Sequence, residues 1–335
     1  MITLKDVARA CGMSVTQVSR ALNDYDDVSL KTREMVKEKA REMGYVKNLT
    51  AKSLSAKQQR QIAVLVIGLG YRDEFSAFVI DTIMGVNRFA SENGYEMVVH
   101  FIDQAPDSYE AFCRQRGIGG VIILNVDYLH ESYNRLLLSD FPAVCVDALL
   151  EGTNKGCVVV DDEKYAKEAV LRLAGAGLKK IALVSGDAES YTTICRRRGY
   201  EAALREAGLP FDPELVTFSD YRCFRAMEDV SALVARRPDI DGIFCMSDYM
   251  ALGALNALND LGVDVPGRVS LIGYDGLNLT EYTQPAIASV RQDHSAKGYA
   301  GAKMICDMLN GTQKEDRVTI PCELIERASL KPRVD

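Results

Sequence analysis

The chain has 335 residues, 47% of them hydrophobic, which is enough apolar material for more than one sizeable core. Its formal net charge of −7 argues against a protein that is coated uniformly by nucleic acid. The charge is segregated, however: residues 1–60 carry twelve Lys and Arg against seven Asp and Glu, and the remainder carries 28 against 40. A basic end on an acidic body is expected when only one module contacts phosphate.

The cysteines and histidines indicate a reduced compartment and no metal centre. Nine cysteines are scattered singly, without a C-x-x-C pair, and the three histidines lie far apart in sequence. Lys5, Asp6 and Arg9 interrupt any N-terminal apolar run, and no apolar stretch is long enough to span a bilayer. We therefore expect a cytoplasmic protein with no cofactor, no metal and no membrane partner.

Residues 3–23 predict two short helices joined by a tight turn. Thr3 can cap the first helix, and Gly12 interrupts the helical pattern where the turn is needed. Ser14 is a second cap, and Gln17 three residues later completes a capping box. Val18 then begins the buried side of the second helix.

The outer side of the second helix carries small and polar residues with one arginine. They are Val15, Thr16, Gln17, Ser19, Arg20 and Asn23. Such a face suits a helix in a DNA major groove, where Arg reaches guanine edges and hydroxyls reach phosphates. An ordinary helical hairpin with a solvated face is the alternative, because short matches of this kind occur by chance.

A third amphipathic helix is predicted over residues 30–43, and it could close a three-helix domain. Its inner side is predicted to carry Met35, Val36, Lys39, Ala40 and Met43.

From residue 62 onward, strand-like and helix-like segments alternate. Strands are predicted at 62–67, 96–101, 120–124, 143–146, 158–160, 180–184, 242–246, 269–272 and 286–290. Helices are predicted at 76–92, 164–174, 193–206, 223–234, 249–261 and 296–308. This alternation is typical of doubly wound parallel sheets, and the segment is long enough for two lobes.

Several linked motifs, taken in order, closely resemble the lactose-repressor (LacI/GalR) family. The N-terminal ones are Thr3-Leu4-x-Asp6-Val7-Ala8, Ser14-Val15-x-x-Val18-Ser19-Arg20-x-Leu22-Asn23, Thr32-Arg33, Gly44-Tyr45 and Asn48-x-x-Ala51-x-x-Leu54. The later ones include Arg196-x-x-Gly199-Tyr200, Ser247-Asp248-x-x-Ala251-x-Gly253, Ile272-Gly273-Tyr274-Asp275 and Val290-Arg291-Gln292. The resemblance covers nearly the whole chain.

The resemblance implies a small all-α helix-turn-helix headpiece and an α/β two-lobed core like a periplasmic binding protein, with doubly wound parallel sheets. The domains would be a headpiece at 1–47, a hinge at 48–60 and a core at 61–335. Lobe one would comprise about 61–160 and 292–320, and lobe two about 161–291 and 321–335. Three crossings between the lobes would make a hinge, with a small ligand in the cleft.

The resemblance also implies a set of DNA-contacting residues. Base contacts would fall on Val15, Thr16 and Arg20, and backbone contacts on Ser19, Asn23, Thr3, Thr32, Tyr45 and Asn48. In the hinge, Ala51, Leu54 and Lys57 would approach the minor groove, with Leu54 as an apolar wedge at the central base step. A flexible tether is the alternative for this short segment.

For the effector, the resemblance implies Phe78, Arg196, Tyr221, Asp248 and Asp275. Each aspartate follows an apolar strand, where a carboxylate can accept hydroxyl hydrogen bonds, although helix capping is the alternative. Ala148 stands where the family often has an aromatic residue, and the chain lacks Trp. This favours a sugar or similar polyol over a flat purine.

Two other functional classes are alternatives to a DNA-binding regulator with a sugar effector. Gly68-Leu69-Gly70 after a strand hints at a dinucleotide loop, but Asp73 replaces the third glycine, and no nucleophile or P-loop motif is present. We therefore expect no enzyme. A sugar-binding protein without a DNA role is the other rival, which the N-terminal motifs disfavour.

We predict a homodimeric repressor of carbohydrate-utilisation genes that binds near-palindromic operator DNA and a sugar or sugar phosphate. Inducer and corepressor roles for that ligand stay open.

Overall fold

A computed structural model describes residues 3–22, 25, 27–43, 60–68 and 77–334. The chain divides into two compact units, residues 1–59 and 60–335, which are described separately.

The first unit contains three helices, α1 (Leu4–Cys11), α2 (Val15–Leu22) and α3 (Leu30–Glu42). The predicted caps are confirmed. Thr3 and Asp6 form a capping box at α1, with the Thr3 N–H donating to Asp6 Oδ2 over 3.0 Å. Ser14 and Gln17 do the same at α2, where the Gln17 N–H donates to Ser14 Oγ over 3.2 Å. Gly12 between them has a φ of +63°, which a residue without Cβ adopts at little cost.

The core of this unit is small and apolar. Val7, Val18 and Val36 are fully buried, one from each helix, and Leu22 and Met43 pack against them. The prediction that Met35 faces inward is wrong, because its side chain is 49% exposed. Helix α3 presents Val36 and Ala40 instead, since these are one turn apart and directed at α1 and α2.

The second unit contains two six-stranded sheets. The first has the order β11-β5-β4-β3-β1-β2 and is entirely parallel. Its strands are β1 (Gln61–Ile67), β2 (Glu96–Ile102), β3 (Gly120–Leu124), β4 (Ala143–Val146), β5 (Lys155–Val159) and β11 (Arg317–Thr319).

The second sheet has the order β12-β10-β9-β8-β6-β7, and only its edge strand β12 is antiparallel. Its strands are β6 (Ile181–Ser185), β7 (Val216–Phe218), β8 (Gly242–Cys245), β9 (Ser270–Asp275), β10 (Ala288–Gln292) and β12 (Cys322–Ile325). The chain thus leaves the first sheet after β5, returns after β10 and leaves again after β11.

Helices cover both faces of these sheets, which explains why most strands are apolar and buried throughout. They are α4 (Ala77–Glu92), α5 (Tyr109–Arg114), α6 (Glu131–Leu138), α7 (Asp162–Ala174), α8 (Tyr191–Glu206), α9 (Cys223–Arg236), α10 (Asp248–Asp260) and α11 (His294–Asn310). Helices α4 and α11 pack on one face of the first sheet, and α5 and α6 pack on the other. Short 3₁₀ turns lie at Pro213–Leu215 and Asn278–Glu281.

Helices α4 and α11 approach each other closely because glycines stand at their contact. A Cβ added at Gly298 would overlap the Thr82 carbonyl oxygen, and one at Gly85 would overlap the backbone of Ser295. This contact fixes α11, and therefore its first residues, against the first sheet.

The predicted fold class is confirmed in both units: a helix-turn-helix domain and a two-lobed α/β core with parallel sheets. Within the described ranges, no helix is both long and apolar enough to cross a bilayer.

Candidate functional site

Helix α2 directs its predicted recognition residues outward. Val15, Thr16 and Arg20 are exposed and Ser19 is half-buried, while Val18 on the opposite side is in the core. The hydroxyl of Thr32, at the start of α3, lies 2.8 Å from that of its cap Ser29. This surface is small, polar and helical, as a major-groove reader requires.

Arg20 has partners that the sequence did not suggest. Its Nη2 lies 2.7 Å from Asp27 Oδ2, and its Nε donates to Asp27 Oδ1 over 3.2 Å. Its guanidinium carbon lies 5.3 Å from the centre of the Tyr25 ring. The arginine predicted to read a base is therefore held by the protein's own carboxylate and must exchange that partner to reach DNA.

The other predicted DNA contacts, Asn23, Tyr45, Asn48, Ala51, Leu54 and Lys57, lie outside the described residues.

In the second unit, residues at the carboxyl ends of strands adopt an unusual backbone. Asn125 after β3, Asp147 after β4 and Asp275 at the end of β9 have φ values of +59°, +58° and +114°. Tyr221, between β7 and α9, has a φ of +61°. Such conformations cost free energy in non-glycine residues and collect at binding sites. The strand ends of doubly wound sheets are also where ligands bind.

Arg196 on α8 is the centre of a buried polar cluster. Its Nε donates to Asp162 Oδ1 over 2.7 Å, and its Nη1 donates to the Met246 carbonyl over 2.5 Å. Asp275 Oδ1 lies 3.9 Å from Nη1, and the guanidinium carbon lies 3.8 Å from the centre of the Tyr274 ring. The predicted meeting of Arg196 and Asp275 is therefore present in the structure.

Gln292, the last residue of β10, extends this cluster toward the first sheet. Its Nε2 donates to Asp275 Oδ1 over 2.8 Å, and its Oε1 accepts from Lys297 Nζ over 2.5 Å. Lys297 also donates to Asp147 Oδ1 over 2.5 Å. A continuous chain of polar contacts thus runs from Asp162, beside the second sheet, to Asp147, on the first.

Burial changes the proton affinities in this cluster. It raises the pKa of Asp275 to about 6, against the lowering effects of Arg196 and Lys297. It also raises the pKa of Asp162, and it lowers the pKa of His294 to about 3, so the His294 imidazole is neutral. These shifts mark groups that are kept from water at some cost, a property common at functional sites.

Four buried polar atoms of the cluster lack a well-formed hydrogen bond among the described residues. Both ring nitrogens of His294 have no partner, and Tyr274 Oη and Asp162 Oδ2 have none beyond the contact between the Tyr274 hydroxyl and the Asp162 carboxylate. Because buried polar groups are nearly always hydrogen-bonded, their concentration here favours a site that a polar ligand completes.

The two predicted aromatic contacts are placed at this cluster. The Phe78 ring, at the start of α4, lies 5.6 Å from that of His294. The Tyr221 hydroxyl lies 2.7 Å from that of Thr193, in the first turn of α8. Both rings are half-buried and so keep a surface for a ligand.

The expectation that Asp248 contacts the effector does not fit its position. Asp248 is fully buried; its Oδ2 accepts from the Leu277 N–H and its Oδ1 from the Ser289 hydroxyl, each over 2.6 Å. The capping alternative is wrong too, because Ser247 is the cap of α10. Asp248 joins α10 to the segments around β9 and β10.

The sequence did not single out Asp147, Asp162, Gln292, His294 or Lys297 as site residues. The one available signal was the position of Asp147 directly after an apolar strand, which the two predicted aspartates share.

Comparison with known proteins agrees with this architecture. The lacI family of bacterial regulatory proteins matches residues 3–48, and a periplasmic binding protein-like domain matches residues 170–330. The transcriptional regulator MalR of Clostridium butyricum is 29% identical over 98% of this chain and 99% of its own. The transcriptional repressor PurR of Vibrio atlanticus is 27% identical over 99% of each chain.

Solved structures give the same result. A complex of the transcriptional regulator CelR with cellobiose is 28% identical, with a TM-score of 0.74, over 98% of this chain and 100% of that one. A lac repressor dimer bound to operator and an anti-inducer shares the fold, with a TM-score of 0.86 and 22% identity over 98% and 99%.

The headpiece and the two-sheet core together define a helix-turn-helix transcriptional regulator with a periplasmic-binding-protein-like domain. Residues 3–48 match the lacI family of bacterial regulatory proteins, and nearly the whole chain is similar to helix-turn-helix transcriptional regulators such as MalR.

Proposed function

We propose that this protein is a cytoplasmic homodimeric repressor of carbohydrate-utilisation genes, controlled by a sugar-like effector, with no catalytic role. The observation that carries the effector site is the buried polar chain from Arg196 through Gln292 to Lys297, with unpartnered polar atoms beside it. Donors and acceptors in this density suit a polyhydroxylated ligand. The sugar-related names of MalR and CelR support the same ligand class.

The effector set that we propose is Phe78, Arg196, Tyr221 and Asp275. Gln292 contacts Asp275 and is the last residue of β10. After β10 the chain returns to the first sheet, so a ligand bound here would contact a segment that connects the two lobes. A ligand that prefers one arrangement of the two sheets shifts the population toward it. In a dimer this shift would change the spacing of two DNA-binding units, whether the ligand is an inducer or a corepressor.

Exposed apolar residues support the homodimer. Ile80 and Met84 lie one turn apart on α4 and are 48% and 58% exposed. Phe224, at the start of α9, is also largely exposed. Apolar side chains grouped on one helix face are more typical of an association surface than of a solvated one.

For DNA, we propose base contacts by Val15, Thr16 and Arg20 and backbone contacts by Thr3, Ser19 and Thr32. Asn23, Tyr45, Asn48, Ala51, Leu54 and Lys57 complete the proposed set. Two headpieces in successive major grooves require a near-palindromic operator with a half-site spacing set by the dimer.

Selection from a random duplex library tests this function. The protein should enrich a near-palindromic sequence. Arg20→Ala should weaken binding to that sequence by about 1–3 kcal/mol, while the loss of its exposed ion pair with Asp27 should lower stability by no more than about 1 kcal/mol. A sugar-binding protein without a DNA role would enrich no sequence, and that result would refute the regulator function.

A further inference from the structure

The ion pair between Lys297 and Asp147 lies at one end of the buried polar cluster. Lys297 lies in the first turn of α11 and is fully buried, with Nζ 2.5 Å from Asp147 Oδ1. Asp147 approaches from the end of β4, and its side chain is 23% exposed. The carboxylate is therefore the member of the pair that faces open space, and the ammonium lies behind it.

Both cations of the cluster are already neutralised. Lys297 has Asp147 as its partner, and Arg196 has Asp162 at 2.7 Å and Asp275 at 3.9 Å. Three carboxylates thus accompany two cations. An anionic group that enters this site would meet carboxylates. Among the described residues of the cluster, every cation is already paired with a carboxylate. Burial strengthens that repulsion, because the local dielectric constant is low.

The unused hydrogen-bond donors and acceptors of the cluster, by contrast, suit a neutral ligand. A neutral imidazole has one donor and one acceptor, and both His294 nitrogens lack a partner although the residue is only 5% exposed. The ammonium of Lys297 has three donors, two of which Asp147 and Gln292 occupy. Hydroxyl groups both donate and accept, so they can satisfy these atoms and the Asp147 carboxylate together. A phosphate dianion can only accept.

We propose that Lys297 and Asp147 are specificity-determining residues that restrict the effector to an uncharged polyol and exclude its phosphorylated form. This inference rests on the proposed function, because it assumes that the effector binds at this cluster. A hydroxyl would donate to Asp147 and accept the third N–H of Lys297, and a second would pair with His294.

The test compares glucose, maltose and cellobiose, each with its 6-phosphate (on the non-reducing unit of the disaccharides), on the full-length protein. Binding is measured by thermal shift and calorimetry, since a ligand that binds the folded state raises the melting temperature. We expect at least one neutral sugar to bind wild type about tenfold or more tighter than its phosphate.

The variant Asp147→Asn tests the role of the Asp147 charge directly. It keeps the shape of the side chain but releases the charge of Lys297, so the preference for neutral sugar over phosphate should fall by about tenfold or more. Lys297→Met should weaken the neutral sugar by about tenfold. Glu326→Gln is the matched control, because Glu326 accepts from buried Arg172 at 2.8 Å outside this cluster. It should leave the preference unchanged.

Three results would overturn the inference: wild type that prefers a phosphate, wild type that binds none of the neutral sugars, or Asp147→Asn with an unaltered preference. If a sugar phosphate binds and changes operator affinity, the regulator function stands and only the ligand class is wrong. If the selection from the duplex library yields no enriched sequence, the regulator function is refuted, whatever the sugar experiments show.

Discussion

Arg20 and Asp27 form a two-point ion pair in the headpiece, with nitrogen–oxygen distances of 2.7 and 3.2 Å. The pair joins the recognition helix to the segment before α3. It holds the guanidinium in one place while leaving it exposed, and it competes with any guanine that Arg20 would read.

Removing this competitor should strengthen DNA binding. An exposed ion pair is worth about 0.2–1 kcal/mol, so Asp27→Asn should raise operator affinity by up to about fivefold. The measurement is a binding titration at fixed salt, because phosphate contacts make the affinity salt-dependent. On the Arg20→Ala background the gain should be smaller. An equal gain on both backgrounds would show that Asp27 acts only through its general charge.

The buried Arg196–Asp162 pair should matter for stability as well as for the effector. Arg196→Ala would leave the buried Asp162 carboxylate without its cation, at a cost of about 3–5 kcal/mol of unfolding free energy. The double variant Arg196→Met/Asp162→Leu should be less destabilised than the sum of the single variants Arg196→Met and Asp162→Leu, which complete the cycle with wild type. Denaturant titration of the four proteins measures this, and strict additivity would mean that the pair is not coupled. The sequence alone suggested a pure ligand-binding role for Arg196.

Stability should depend on pH through Asp275. Burial raises its pKa from 3.8 to about 6, so the native state holds this proton more tightly than the unfolded state does. The stabilisation is fully present below pH 4 and is lost as the pH rises toward 6, by at most about 3 kcal/mol. Asp275→Asn should therefore become more stable relative to wild type across that window.

Asp212 is the control for this pH dependence. The hydrogen bond from Arg237 lowers its pKa, so its contribution is lost as the pH falls below 4. Chemical denaturation from pH 3 to 7 should show Asp275→Asn gaining stability relative to wild type between pH 4 and 6, and the deficit of Asp212→Asn shrinking as the pH falls below 4. A constant difference for Asp275→Asn would contradict the raised pKa.

Packing between α4 and α11 gives a stability prediction with a control on the same helix. Gly298→Ala would force a methyl against the Thr82 carbonyl and should cost about 1–3 kcal/mol by overpacking. At Gly301 an added Cβ would meet Val144 at an ordinary 3.6 Å, so Gly301→Ala should gain up to about 1 kcal/mol from helix propensity. Thermal unfolding of both variants distinguishes them, and equal effects would show that the helices can separate without cost.

Much of the fold follows from local pattern. Strands such as Gly120–Leu124 and Ala143–Val146 were predicted with their observed bounds, because each is a short apolar run buried on both faces. The helices Tyr109–Arg114 and Glu131–Leu138 were not predicted, since one or two turns give little helical periodicity. The edge strand Cys322–Ile325 alternates only weakly, and its pairing with β10 is tertiary.

The candidate site was predictable only in part. Asp275 and Arg196 stand at motif positions, and the structure brings them together. Lys297 lies in an amphipathic helix, where a lysine is typically solvated, and only the close approach of α11 to the first sheet buries it. The contacts of Asp162 and Gln292 depend on chain crossings that no local pattern encodes.

The measurement that tests the central claim most directly is a titration of the selected operator with and without the sugar that raises the melting temperature, at one salt concentration. We expect the sugar to change the dissociation constant by about 5–150-fold, which corresponds to a coupling of about 1–3 kcal/mol between two sites. The same sugar should have a far smaller effect on Arg196→Lys, because Lys cannot reproduce the planar contacts of the guanidinium. An operator affinity that is identical with and without a bound sugar would contradict effector control of this protein.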